Sequence, residues 1–163
     1  MKTLLVLRHA KSSWSDPTVD DHDRPLNARG TRDAPRMGLL IRELHLTPDV
    51  IISSDAVRAR VTAAAVAEAL GFGEEIRRER RLYLASPSDI VAVVRTVPAP
   101  ATIAMIVGHN PGLEELVERL SGESNELPTA ALAQIALPIE RWRDLKVSTR
   151  GQLIGLWRPK ELE

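Results

Sequence analysis

Thr3-Leu4-Leu5-Val6-Leu7-Arg8-His9-Ala10 opens the reading, because an unbroken apolar run stops abruptly on two cationic or titratable side chains. Such a run suits a strand covered on both faces, as in a parallel sheet with helices on either side, better than a half-exposed strand with alternating polarity. Two further stretches repeat the design. Val50-Ile51-Ile52 ends at Ser53-Ser54 and is preceded by Pro48-Asp49, and Ile103-Ala104-Met105-Ile106-Val107 ends at Gly108-His109-Asn110. Each is followed by a turn and a helical pattern, the order expected of an α/β fold.

The intervening helices are marked by periodicity and caps. Ala34, Met37, Leu40, Ile41 and Leu44 share one face of a helix running to about His45. Within it, Pro35 predicts either a start capped by Asp33 or a kink. A second helix is expected after Ser54 as N-cap, continuing through the Ala-rich stretch to Leu70 and ending at Gly71. Ser86-Pro87-Ser88-Asp89 announces a third, with a capping serine, proline at the first helical position and an acid three residues on. Asn110-Pro111 starts a fourth that stops near Gly122. Ala133–Leu137 and Gln152–Trp157 are predicted as strands at a sheet edge, joined through the Arg-rich segment around 141–150. No repeat, low-complexity tract or linker interrupts the chain, so one domain over residues 1–163 is expected. Leu162-Glu163 has the look of a cloning remnant.

Composition excludes several classes of function. The 163 residues carry 22 Lys+Arg against 22 Asp+Glu, a formal net charge of zero, which argues against a general nucleic-acid binder. With no cysteine, disulfides, thiolate metal sites and a cysteine nucleophile are all ruled out. No apolar run approaches the roughly 20 residues of a membrane span, and the run ending at Arg8 is too short for a secretory signal. A cytoplasmic protein is expected, of a size that buries roughly 70% of the surface its unfolded chain exposes.

The unusual polar residues fall where an α/β sheet places ligands, at the carboxyl ends of strands beside helix N-termini. Arg8 and His9 end the first strand, His109 ends the third, and Arg58 lies in the first turn of the helix after the second. Two guanidiniums in one pocket suit a phosphate, which they bind through paired donors. Two imidazoles facing that phosphate have separable tasks. One, unprotonated, attacks phosphorus; the other stays protonated and steadies the equatorial oxygens. Nearby guanidiniums lower an imidazole pKa, which keeps a nucleophile neutral. Phosphoryl transfer needs mainly positioning and charge neutralisation, so no metal or other cofactor is called for. His22 reads as a polar-loop residue, and His45 as a helix C-terminal one. Asp20-Asp21-His22-Asp23 reads as a solvated loop rather than a cation site.

These residues also carry a resemblance. Arg8-His9-Ala10 resembles the Arg-His-Gly signature of the histidine phosphatase superfamily, the phosphoglycerate mutase-like enzymes. Lys11-Ser12-Ser13-Trp14-Ser15 is similar to the segment that follows it there, with Ser12 on a pocket serine and Ser15 in place of a pocket asparagine. Arg24-Pro25-Leu26-Asn27-Ala28-Arg29-Gly30 resembles the Pro-Leu-Thr-x-x-Gly element. Ser53-Ser54-Asp55-Ala56-Val57-Arg58-Ala59-Arg60-Val61-Thr62-Ala63 resembles the helix bearing the second arginine, and Val107-Gly108-His109-Asn110 the segment bearing the second histidine. The resemblance implies a three-layer α/β/α sandwich with a mostly parallel central sheet and an antiparallel edge. It also implies His9 as nucleophile, with Arg8, Arg58 and His109 holding the phosphoryl group and Ser12 and Ser15 as further donors.

There are two departures. Ala10 replaces glycine, which demands a backbone conformation alanine tolerates. Leu84 stands where many members carry a glutamate as general acid, and only Asp89 or Glu79 remains to approach from elsewhere. The compact SixA-type phosphohistidine phosphatases share this lack, and their imidazole leaving group needs a positioned acid less than an alkoxide does. The expected substrate is therefore a phosphorylated molecule such as a phosphohistidine-bearing protein. Nucleotides or small phosphate esters are the alternative, followed by a non-catalytic phosphoprotein-binding module and, more distantly, a mutase.

Overall fold

The computed structural model describes residues 1–162. Six strands form one sheet: β1 (Lys2–Arg8), β2 (Val50–Ser53), β3 (Arg77–Arg78), β4 (Ile103–Gly108), β5 (Leu132–Leu137) and β6 (Gln152–Trp157). Their order is β3-β2-β4-β1-β5-β6. β1 runs parallel to β4, which runs parallel to β2, while β5 is antiparallel to both β1 and β6. The sheet is thus mostly parallel with an antiparallel edge, as expected. The two-residue edge strand β3 has no apolar pattern and was not predicted.

Four helices cover the sheet: α1 (Ala28–Glu43), α2 (Val57–Leu70), α3 (Pro87–Val94) and α4 (Gly112–Ser121). Successive side chains of a strand point to opposite faces, and both faces of β1 are covered. Leu5 and Leu7 pack with Met37, Ile41, Ala63 and Val66 of α1 and α2. Leu4 and Val6 pack with Ile90, Val94, Leu116 and Val117 of α3 and α4. All four strand residues are fully buried, each contributing about 1.5–3 kcal/mol to the fold. This two-sided cover is the physical reason the run is continuous in sequence.

The caps agree with expectation for α3, where the Ser86 side chain accepts from Asp89 N, and at the ends of α2 and α4, where Gly71 and Gly122 take positive φ. They differ for α1 and α2. Asn27, not Asp33, caps α1 by accepting from Gly30 N at 2.9 Å, and the helix runs on through Pro35. Asp33 is buried instead, with Arg29 and Arg36 guanidiniums each 3.5 Å away. The cap of α2 is Ala56, which has no side-chain acceptor; the Ser54 hydroxyl lies two residues earlier, accepting from Ala56 N and contacting His109. Gly30 is required by contact: a β-carbon there would lie 2.1 Å from the Lys11 carbonyl oxygen. It lets the loop after β1 lie directly on α1.

Candidate active site

Strand register brings the two sequence-distant histidines together. Arg8 pairs with Gly108 across β1 and β4, so the next residues, His9 and His109, leave the sheet side by side with ring centroids 5.2 Å apart. Arg58, the second residue of α2, completes a cavity of about 220 Å³ whose floor holds Arg8, His9, Arg58 and His109. Ser12 also lines it. Ser15 does not: it is exposed, and its hydroxyl pairs with that of Ser13 at 2.8 Å. A larger groove of about 920 Å³ beside β3 contains no histidine, so the chemistry rather than the volume selects the smaller site.

Hydrogen bonding assigns the proton of the His9 imidazole. His9 Nδ1 lies 2.7 Å from the Ala10 carbonyl, which can only accept. Nδ1 therefore carries the hydrogen, and Nε2 keeps its lone pair. Ala10 itself is fully buried and is absent from the residues with positive φ, so it replaces glycine without strain. His109 Nε2 is 2.8 Å from the Ser54 hydroxyl, which already accepts from Ala56 N. That contact fits either His109 tautomer: the hydroxyl donates to a bare Nε2, or accepts a second hydrogen bond from Nε2–H. Burial, followed by the guanidiniums of Arg58, Arg8 and Arg24, lowers the His9 pKa to about 4 against the upward pull of the Ala10 carbonyl. Burial, His9 and Arg58 lower that of His109 to about 3. Both rings are neutral near pH 7 in the site without a bound phosphate.

Three buried side-chain atoms lack a hydrogen-bond partner among the described residues: Arg8 Nε, Arg58 Nε and His109 Nδ1. All three belong to residues on the floor of one cavity. Unpaired buried polar atoms are costly, so their convergence marks a place where an acceptor-rich group binds. Arg8 Nη1 donates to the Leu127 carbonyl, and Arg58 Nη1 and Nη2 donate to the Asp21 carbonyl and carboxylate.

Asp21 corrects the reading of residues 20–23 as a solvated loop. Residues Asp21–Asp23 form a 3-10 turn docked behind the site. There the Asp21 carboxylate accepts from Arg58 Nη2 at 3.0 Å, Tyr83 Oη at 2.5 Å and Arg24 Nε at 3.1 Å. Partial burial pushes the Asp21 pKa up, but hydrogen bonds from Tyr83 and Arg58 outweigh it and hold the group at about 2. Burial and Asp21 raise the Tyr83 pKa, and its ring stands edge-on to His109 at 5.4 Å. His22 is likewise more than a loop residue, with Nε2 2.9 Å from Asp55 Oδ1 and its ring against Tyr83.

Sequence reasoning missed Arg24 as a site residue. It lines the cavity, is only 6% exposed and donates to the Ser12 hydroxyl. The one available signal was its spacing of three from Asp21. Lys11, Trp14, Leu84, Asn110 and Thr129 also line the cavity and were not singled out as lining it. Among the described residues no carboxylate lines it. Glu79 is tied to Arg81 and Arg77, and Asp89 is exposed in the first turn of α3, so neither approaches. Among the described residues no cluster of three or more His, Cys, Asp or Glu could hold a metal, and no helix is long and apolar enough to cross a membrane.

Fold and site together define a phosphate-binding α/β protein with a histidine pair at its centre. A profile of the histidine phosphatase superfamily (branch 1) matches residues 4–83. An uncharacterised protein of Mycobacterium tuberculosis is 31% identical over 94% of this chain and its own full length. An uncharacterised chloroplastic protein of Arabidopsis thaliana is 38% identical over 82% of this chain, but the match spans only 66% of that protein. Among solved structures, the candidate phosphohistidine phosphatase SixA from Nakamurella multipartitia is 31% identical with TM-score 0.81, over 97% of this chain and 96% of that one. Its counterpart from Agrobacterium tumefaciens is 29% identical with TM-score 0.83, over 97% and 98%. The protein histidine phosphatase SixA complexed with tungstate shares the fold at TM-score 0.85 and 19% identity, covering 99% of each chain. The chain belongs to the histidine phosphatase superfamily.

Proposed function

We propose that this protein is a cytoplasmic phosphohistidine phosphatase, a single domain acting on a phosphohistidine borne by another protein. The observation that carries the reading is a cavity with two neutral histidines and three guanidiniums but no carboxylate, with Leu84 on its wall. An ester leaves as an alkoxide and gains typically ~10²–10⁴-fold from a positioned acid. An imidazole leaving from phosphorus accepts a proton from water readily enough to do without one.

His9 Nε2 attacks phosphorus in line, forming an N–P bond as the bond to the leaving nitrogen breaks, and that nitrogen takes up a proton from water. With the His109 hydrogen on Nδ1, Arg8 Nε, Arg58 Nε and His109 Nδ1 supply three N–H donors for the phosphoryl oxygens. Negative charge on the bound phosphoryl group offsets the guanidiniums and favours proton uptake at His109. Water then attacks the phosphorylated His9, breaking its N–P bond, releasing inorganic phosphate and restoring the lone pair on Nε2. The Ala10 carbonyl holds the Nδ1 hydrogen throughout.

The test is to trap a phosphoenzyme that is acid-labile and alkali-stable, alongside turnover of a phosphohistidine protein, a nucleotide and an aryl phosphate. The expected result is a phosphorylated wild type, none with His9→Ala, and preference for phosphohistidine. Activity intact in His9→Ala overturns the mechanism. Preference for the nucleotide or aryl phosphate overturns the substrate class, and tight phosphate binding without any turnover identifies a binding module.

A further inference from the structure

The floor of the cavity is charged, but two large apolar side chains stand exposed on its wall. Trp14 is 71% and Leu84 57% exposed, and both line the cavity. Trp14 is held in place: its ring covers the Arg24 guanidinium at 3.5 Å, and Arg24 is itself anchored by Ser12 and Asp21. A cation stacked on an indole face restrains both partners.

Leu84 is held by its backbone. It follows the 3-10 turn Arg80–Leu82 and lies between buried Leu82 and Ala85. Its φ of 50° falls in the left-handed region, which glycine adopts freely and leucine resists. Strained residues of this kind gather at sites where a particular side chain is needed in a particular place.

We propose that Trp14 and Leu84 form the leaving-group subsite, an apolar seat for the flat, neutral imidazole of the phosphohistidine while its phosphoryl group rests on the floor. This rests on the phosphohistidine reading above. At ~30 Å³ per water, a cavity of about 220 Å³ accommodates a phosphoryl group with one small ring attached, leaving the rest of the substrate outside. An indole face and an isobutyl group offer no hydrogen-bond partner to the hydroxyls of a ribose. Polar groups pressed against them lose water without replacement, whereas a flat ring stacks. At the Trp14–Leu84 wall, a flat ring is therefore favoured over a sugar.

The experiment compares phosphohistidine with phosphoramidate, which carries the same kind of N–P bond but leaves as ammonia with no ring. Wild type, Trp14→Ala, Trp14→Phe and Leu84→Gly are assayed for kcat/KM on both. Glycine suits the backbone at position 84, so that variant removes the side chain without threatening the fold. The ratio of phosphohistidine to phosphoramidate efficiency is expected to fall about tenfold or more in Trp14→Ala and Leu84→Gly, chiefly through KM, and to survive in Trp14→Phe. Equal losses on both substrates overturn the subsite while leaving the substrate reading intact. A wild type that cleaves aryl phosphate but neither N–P substrate overturns the substrate reading, and the subsite with it.

Discussion

Between pH 7 and pH 5 the unfolded chain takes up protons at its histidines, whose ordinary pKa is 6.5, while the folded protein refuses them at two positions. His9 titrates at about 4 and His109 at about 3 in the fold. In this window the unfolded state binds more protons, so stability falls as pH falls and is regained above 6.5. Each histidine contributes a loss of about 2 kcal/mol over the two pH units, and the pair about 4 kcal/mol. That is a large share of the roughly 5–15 kcal/mol stabilising a typical domain. Urea unfolding followed by tryptophan emission measures it, with buried Trp142 as the reporter. The His9→Gln/His109→Gln double variant keeps His22 and His45, so subtracting its pH dependence isolates the pair. The difference should be about 4 kcal/mol, with each single variant recovering about half. Identical pH dependence in wild type and double variant would show that these rings are not held neutral by burial and the guanidiniums.

Two further outcomes follow from contacts at the site. In the proposed mechanism the Ser54 hydroxyl donates to Nε2 and keeps the His109 hydrogen on Nδ1, so Ser54→Ala should lower kcat about tenfold, less than the ~10²–10³ for losing a donor outright. Nitrogen NMR of His109 should then show the Nε2–H form appearing, and Ser54→Thr should restore the wild-type signal; an unchanged tautomer refutes the assignment. Gly30→Ala drives a methyl group into the Lys11 carbonyl and should destabilise by about 1–3 kcal/mol. It should also raise KM through the adjoining Ser12 loop. Gly73→Ala, with nothing within 4 Å of the new carbon, should leave Tm unchanged within error.

The sheet was legible because its central strands are buried on both faces, which leaves an unmistakable apolar run at Leu4–Leu7 and Ile103–Val107. Helix ends were legible where a cap has only local business, as at Ser86, Gly71 and Gly122. Ser54 misled because a serine before a helix looks the same whether it caps that helix or, as here, bonds a histidine 55 residues away. Asp21 misled for a related reason: its partners Arg58 and Tyr83 lie 37 and 62 residues on, and nothing in a run of acids reveals that one is folded against guanidiniums. The opposite error befell Ser15, which the resemblance set in place of a pocket asparagine although its side chain is exposed to solvent. Arg8, His9, Arg58 and His109 were placed correctly at strand and helix ends because topology alone dictates where those ends meet.

β1 is flanked by β4 and β5, and that position governs how the site is lost as well as how it is built. β1 is hydrogen-bonded on both sides, so its amides should exchange with solvent only when the whole molecule opens, whereas the rims at β3 and β6 can fray alone. His9 therefore follows directly on an interior strand rather than on a rim. Nicking by a protease or mild denaturant that loosens the outer strands leaves the nucleophile anchored, and its loss should coincide with global unfolding.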